Sequence, residues 1–455
     1  MVLTGCRRLK SLPSSFDKFK CLQSLSCGGC SKLTSFPEIN GNMGKLREFN
    51  FSGTSINEVP LSIKHLNGLE ELLLEDCKKL VAFSENIGSL SSLKSLKLKG
   101  CSKLKGLPSS IKHLKALKNL DLSSCENLVR LPESICSLSS LETLFLNGCL
   151  KFKGFPGVKG HMNNLRVLRL DSTAIKEIPS SITHLKALEY LNLSRSSIVS
   201  LPESICSLTS LKTINVDECL ALHKLPEDLG ELSRLEILSF SYIRCDLPCL
   251  SGLCSLKELT LQGCNLKQGV IKRDSRLSSL KTLILIDCNL KDGVVLDICH
   301  LLSLKELHLS SCNIRGIPND IFCLSSLEIL NLDGNHFSSI PAGISRLSHL
   351  TSLNLRHCNK LQQVPELPSS LRLLDVHGPS DGTSSSPSLL PPLHSLVNCL
   401  NSAIQVRFLS HRTFILCRQW IYIMLLCRIR KIEAGVIGME HLFLILGTVA
   451  TEFVL

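Results

Sequence analysis

Residues 93–116 read LKSLKLKGCSKLKGLPSSIKHLKA, and residues 117–140, which follow without a gap, read LKNLDLSSCENLVRLPESICSLSS. Laid in register they share LxxLxLxxCxxLxxLPxxIxxLxx. The first leucine of that pattern recurs sixteen times, from Leu22 to Leu371, about 23 residues apart. One short unit repeated at that period cannot bury its apolar side alone, so neighbouring units must stack and share a core.

Each position has a physical task. In Leu93–Lys99, Leu96 and Leu98 alternate with Ser95, Lys97 and Lys99, which predicts a strand with one buried face. Position nine then turns the chain inward. It carries Cys30, Cys77, Cys101, Cys125, Cys149, Cys219, Cys264, Cys288, Cys312 and Cys358, with Thr54, Thr173 and Asn335 in three other units. All are small groups able to bond backbone atoms exposed at a bend. The second half, Leu104, Leu107, Ile111 and Leu114, places apolar residues three or four apart, and Pro108 sets a turn before a short helical segment. Because that half is wider than a strand, the stack curves with its sheet inside. The expected fold class is an α/β solenoid, a leucine-rich-repeat horseshoe. Its parallel sheet lines the concave face, and short helical, 3-10 or extended segments form the convex one.

Composition agrees. The 455 residues are 44% apolar but only 4% aromatic, which excludes whole-chain disorder and a core built on large rings. Lys plus Arg is 51 against 39 Asp plus Glu, a net charge of +12, and no sequence run concentrates it. The 23 cysteines fall mostly on one repeat phase, and the start MVLTGCRRLK lacks the apolar core of a signal peptide. A reducing, cytoplasmic setting is therefore expected. Met1 falls inside a repeat, which reads as a piece of something longer. The solenoid is expected over residues 1–377, a Ser/Pro-rich linker over 378–397 and an atypical tail over 398–455. In the tail, Arg418 and Arg428 bracket nine uncharged residues, too few to span a membrane, so no membrane partner is expected. Between residues 240 and 254 the pattern nearly dissolves, and the units from Leu256 and Leu280 lack the Leu-Pro step. Either local bulges or hinges in the curvature would produce that.

The blocks KGCSKLKGLPSSI (99–111), SSCENLVRLPESI (123–135) and DSTAIKEIPSSI (171–182) resemble the leucine-rich-repeat region of plant intracellular nucleotide-binding disease resistance proteins of the Toll/interleukin-receptor-domain class. The likeness runs over residues 1–377. LQQVPELPSSLRLLDVHG (361–378) and NCLNSAIQ (398–405) resemble that family's last repeat and the start of its post-repeat domain, and from Val406 the likeness ends. The resemblance implies a sensor in innate immunity and signal transduction. Such a sensor recognises pathogen effectors or guarded host proteins and folds against the receptor's nucleotide-binding domain to restrain it.

The family's phosphate loop and NAD-cleaving residues have no counterpart here, so no catalytic residue, cofactor or metal is expected. Cys27-Gly28-Gly29-Cys30 has metal-site spacing, but repeat packing explains both cysteines. The sequons at Asn50 and Asn192 fall inside strands. The partner surface is expected on the outward strand positions of the concave face. Phe145, Arg169, Tyr190 and Arg195 are read as lying on four consecutive strands and form the expected contact patch. Cations there alternate with Asp121, Asp171, Asp217 and Glu218, which argues against nucleic acid. A stand-alone intracellular scaffold, a repeat attached to a catalytic domain elsewhere, or a non-signalling remnant are the competing readings.

Overall fold

The computed structural model describes residues 1–13, 18–160, 162–243, 245–264, 266, 276–290, 298–376 and 405–407. Among these residues seventeen strands form one sheet, parallel in every pairing, that runs from Ser24–Ser26 to Gln405–Arg407. Registers are those of a strict repeat: Leu96 lies opposite Leu72 and Leu120, and Lys97 opposite Leu73 and Asp121. In the three-residue strands from Ser24 to Asp375 the middle residue is buried and the flanking ones are half-buried or exposed, as in Thr143–Phe145, with only Ser95 and Asn192 buried among the flanking set. One continuous apolar core extends from Leu25 to Val376. Position six contributes Leu74, Leu98, Leu122 and Leu146, all fully buried. At roughly 1.5–3 kcal/mol for each buried aliphatic side chain, most of the stabilisation is generated between units rather than within them.

The opposite side is built from 3-10 turns, typically five residues long, such as Ser109–His113 and Glu133–Ser137. No α-helix occurs among the described residues. The helical half of the expected α/β solenoid is thus 3-10: a proline holds the N-cap extended in most units, and five residues leave little room for an α-turn ladder. Pro108 and Pro132 sit at N-cap positions with extended backbone (φ −72 and −64). No described helix is long and apolar enough to cross a membrane.

In the irregular region the strands lengthen to five residues: Ile237–Ser241, Glu258–Gln262 and Thr282–Ile286. The 378–397 linker lies outside the described residues. So does the 398–455 tail, apart from Gln405–Arg407, whose strand pairs with Leu373–Asp375.

Candidate functional site

The turn after each strand decides what the concave face can present. Position eight adopts a left-handed backbone in every well-formed unit, with glycine at Gly53, Gly100 and Gly148 but Asp76, Ser124, Ser172, Arg195 and Glu218 elsewhere. That reversal lets position nine drop into the core. There the thiols form a ladder: each Sγ–H donates to the position-six carbonyl of the preceding unit. The pairs are Cys77 to Phe51 (3.2 Å), Cys101 to Leu74 (3.0 Å), Cys125 to Leu98 (3.2 Å) and Cys149 to Leu122 (3.1 Å). Further along come Cys219 to Leu193 (3.1 Å), Cys264 to Phe240 (3.2 Å) and Cys288 to Leu261 (3.2 Å). Cys312 to Leu285 (3.1 Å) and Cys358 to Leu332 (3.2 Å) complete it. Burial raises these thiols, Cys149, Cys264 and Cys312 to about 12. They are structural donors rather than nucleophiles. Cys27 and Cys30 are likewise fully buried, and Cys30 donates to the Leu3 carbonyl at 3.1 Å. Among the described residues no cluster of metal-ligating groups occurs.

Thr54 and Thr173 substitute by bonding their own turn, to Phe51 and Leu170. Asn335 does more. Its amide nitrogen donates to the carbonyls of Leu309 (2.6 Å) and Leu332 (2.8 Å), and its oxygen accepts from the amides of Cys312 (3.2 Å) and Ile314 (3.1 Å).

On the face itself, Phe145 and Arg169 are register partners on adjoining strands. Tyr190 lies on the next strand opposite Val167, diagonal to Arg169. The structure therefore places Phe145, Arg169 and Tyr190 on three consecutive strands, not four residues on four. Arg195 belongs to the same unit as Tyr190 and sits beyond its strand, at the left-handed turn position (φ 56), because position eight is where the chain reverses. Both arginines are held in forked pairs. Arg169 bonds Asp171 through Nε (3.0 Å) and Nη2 (3.1 Å), and Arg195 bonds Glu218 through Nε (3.1 Å) and Nη2 (2.8 Å). Hydrogen bonding to Arg195 holds the Glu218 carboxyl below its ordinary range. The patch offers half-exposed rings beside pre-oriented, charge-compensated guanidinium groups. That suits contact with a protein surface.

Two rows of side-chain bonds are not evident from the linear sequence. At position five, Asn50, Asp121, Asn192, Asn215, Asn331 and Asn354 each accept the amide of the residue two further on, at 2.8–3.0 Å. They are committed to the turn and cannot vary freely as contact residues. At position two, charges stack in pairs. Glu70 sits between Arg47 (3.6 Å) and Lys94 (2.6 Å), and Glu142 meets Lys118 (2.9 Å). Glu189 sits between Arg166 (2.9 Å) and Lys212 (2.7 Å), while Glu236 meets Lys257 and Glu328 meets Lys305, both at 2.6 Å. Reading position two down the aligned units would have revealed that row.

The leucine-rich repeat region profile matches residues 45–169 and 157–272, together half of the chain, and a second leucine rich repeat profile matches residues 303–361. Over 69 residues the chain is 46% identical to TMV resistance protein N of Nicotiana glutinosa, and over 67 residues 43% identical to disease resistance-like protein DSC1 of Arabidopsis thaliana. Each match covers 15% of this chain, but only 6% and 5% of those relatives. A leucine-rich-repeat protein of Leptospira interrogans superposes with a TM-score of 0.60 at 23% identity, covering 90% of this chain and 94% of that one. Toll, in its Drosophila complex with Spatzle, gives 0.60 at 19% identity, covering 81% of this chain and 49% of that chain. Those two likenesses speak to the fold. With its thiol ladder, its parallel sheet and profile matches over half its length, this chain belongs to the leucine-rich-repeat family and has plant disease resistance proteins among its relatives.

Proposed function

We propose that the chain is the non-catalytic protein-recognition region of a plant disease resistance receptor. It binds a pathogen effector or a guarded host protein and restrains an attached nucleotide-binding domain in the cytoplasm. One observation carries this reading: a parallel sheet holds Phe145, Arg169 and Tyr190 side by side on three registered strands, as a ready-made contact surface. The short matches to two plant resistance proteins support the biological setting.

The test compares the chain with its Phe145→Ala, Arg169→Ala, Tyr190→Ala and Arg195→Ala variants. Each is titrated against pathogen effectors and against nucleotide-binding domains of plant resistance proteins. Loss of a central aromatic or arginine anchor typically costs about 2 kcal/mol or more, roughly thirtyfold in affinity. Unchanged affinity of all four variants for every bound protein removes the patch. Turnover of NAD or ATP by the purified chain removes the non-catalytic reading.

A further inference from the structure

The positions that run from the thiol ladder toward the 3-10 turns, ten to fourteen of each unit, form a flank separate from the concave face. In four successive units they read KKLVA (78–82), SKLKG (102–106), ENLVR (126–130) and LKFKG (150–154). That is seven cations against one carboxylate, Glu126. The units are far apart in the chain, yet the fold stacks them. The Lys105 amide donates to the Val81 carbonyl (3.4 Å) and the Lys153 amide to the Val129 carbonyl (3.1 Å), while Arg130 bridges Gly154 in parallel. Lys79, Lys103, Lys105, Arg130, Lys151 and Lys153 are all exposed. Lys151 bonds the Asn127 side chain (2.7 Å), and none of the six has an ion-pair partner among the described residues. In the same units the position-two lysines, Lys94 and Lys118, are each neutralised by a glutamate. Charge compensation is therefore complete on one row and absent on the other.

Exposed aliphatic side chains lie within the cations: Val81 and Val129 at 38% and Leu150 at 59%. No aromatic ring stands exposed among them on which a base could stack, which disfavours nucleic acid. The cations keep no constant spacing: Asn127 interrupts Lys79, Lys103 and Lys151, and Val129 separates Lys105 from Lys153, so an extended acidic peptide, which repeats its carboxylates on one face about every 6.6 Å, finds no matching row. A fluid array of anionic headgroups needs no such register, and it accepts aliphatic side chains at its acyl boundary.

We infer that this flank docks on an anionic membrane surface, with the lysines against headgroup phosphates and carboxylates and Val81, Val129 and Leu150 at the boundary below. The partner-recognition face stays free in that orientation.

The test is flotation of the 455-residue chain with vesicles of phosphatidylcholine alone or phosphatidylcholine with phosphatidylserine. Binding is expected only to the second, and high salt should abolish it. The triple variant Lys103→Gln, Lys105→Gln, Lys153→Gln should bind roughly a hundredfold more weakly. The control triple Lys64→Gln, Lys112→Gln, Lys186→Gln removes the same charge elsewhere and should bind as the parent does. Circular dichroism of both triples checks that the fold is kept. Equal flotation on neutral vesicles, equal losses in the two triples, or binding to single-stranded RNA with both vesicle types ignored would each overturn the inference.

Discussion

Replacing Asn335 by alanine should be the most damaging single change on the position-nine row. In a cysteine unit the amide at this bend closes onto its own turn, as Cys101 does onto the Leu98 carbonyl at 3.1 Å. In the unit before Asn335, the amides of Cys312 and Ile314 turn instead to the asparagine oxygen. Asn335 itself has no exposed surface, so truncation strands two buried donors with no water at hand. Each stranded donor costs about 1–3 kcal/mol. The Leu332 carbonyl keeps its bond from the Cys358 thiol, whereas the Leu309 carbonyl loses its side-chain donor. A total loss of about 3 kcal/mol is expected, allowing for partial relaxation. Asn335→Cys should fall between the two, since a thiol can restore the carbonyl bond made elsewhere on the ladder but cannot accept from the two amides. Urea unfolding followed by circular dichroism gives the total, and hydrogen exchange at Cys312 and Ile314 locates it. A loss under about 1 kcal/mol with both amides still protected would refute the assignment of those bonds.

Three further outcomes follow from the same geometry. Native iodoacetamide treatment at mildly alkaline pH should label the exposed Cys254 and Cys323 and spare Cys149, Cys264 and Cys312, whose thiols burial lifts to about 12; mass spectrometry of the peptides reads the difference. Glu70, Glu189 and Glu236 are held below their ordinary carboxyl range, first by hydrogen bonds from Lys94, Lys212 and Lys257. Depressed folded-state values mean that their contribution is present above the unfolded value of 4.5 and fades as pH falls through the folded values. Tm should therefore drop below that point, and less steeply in high salt; a Tm that rises on acidification contradicts the pairing. Gly68→Ala would drive its new methyl into the Gly44 carbonyl and the Arg47 guanidinium, costing about 1–3 kcal/mol, whereas Gly154→Ala meets nothing within 4 Å and should be neutral or stabilising by chemical denaturation.

The spine was readable because period and phase are carried by single residue types. Leu96, Leu98, Cys101 and Ile111 recur at fixed offsets, and burial is the one environment that suits all of them. Side-chain partnerships were less legible. Asn192 and Asn215 look like ordinary outward residues until their oxygens are seen to accept the amides of Ser194 and Asp217. In the sequence Arg195 looks like a strand residue, because the left-handed turn is marked by glycine in only some units. The basic flank is hidden in the linear sequence for a related reason. Its lysines lie about 24 residues apart in the chain, so no linear run of charge exists until the units stack.

The paired charges at position two constrain how such an array can change length. Excising the single unit 141–164 would bring Lys118 beside Arg166 and remove the glutamate that now partners Lys118. Like charges facing each other across a strand pair are unfavourable. Excising the adjoining unit as well would bring Lys118 beside Glu189 and restore an opposite-charge contact. Recombination that trims this segment should therefore be tolerated by twos more readily than by ones, an arithmetic written in side-chain charge rather than in the leucines that define the unit.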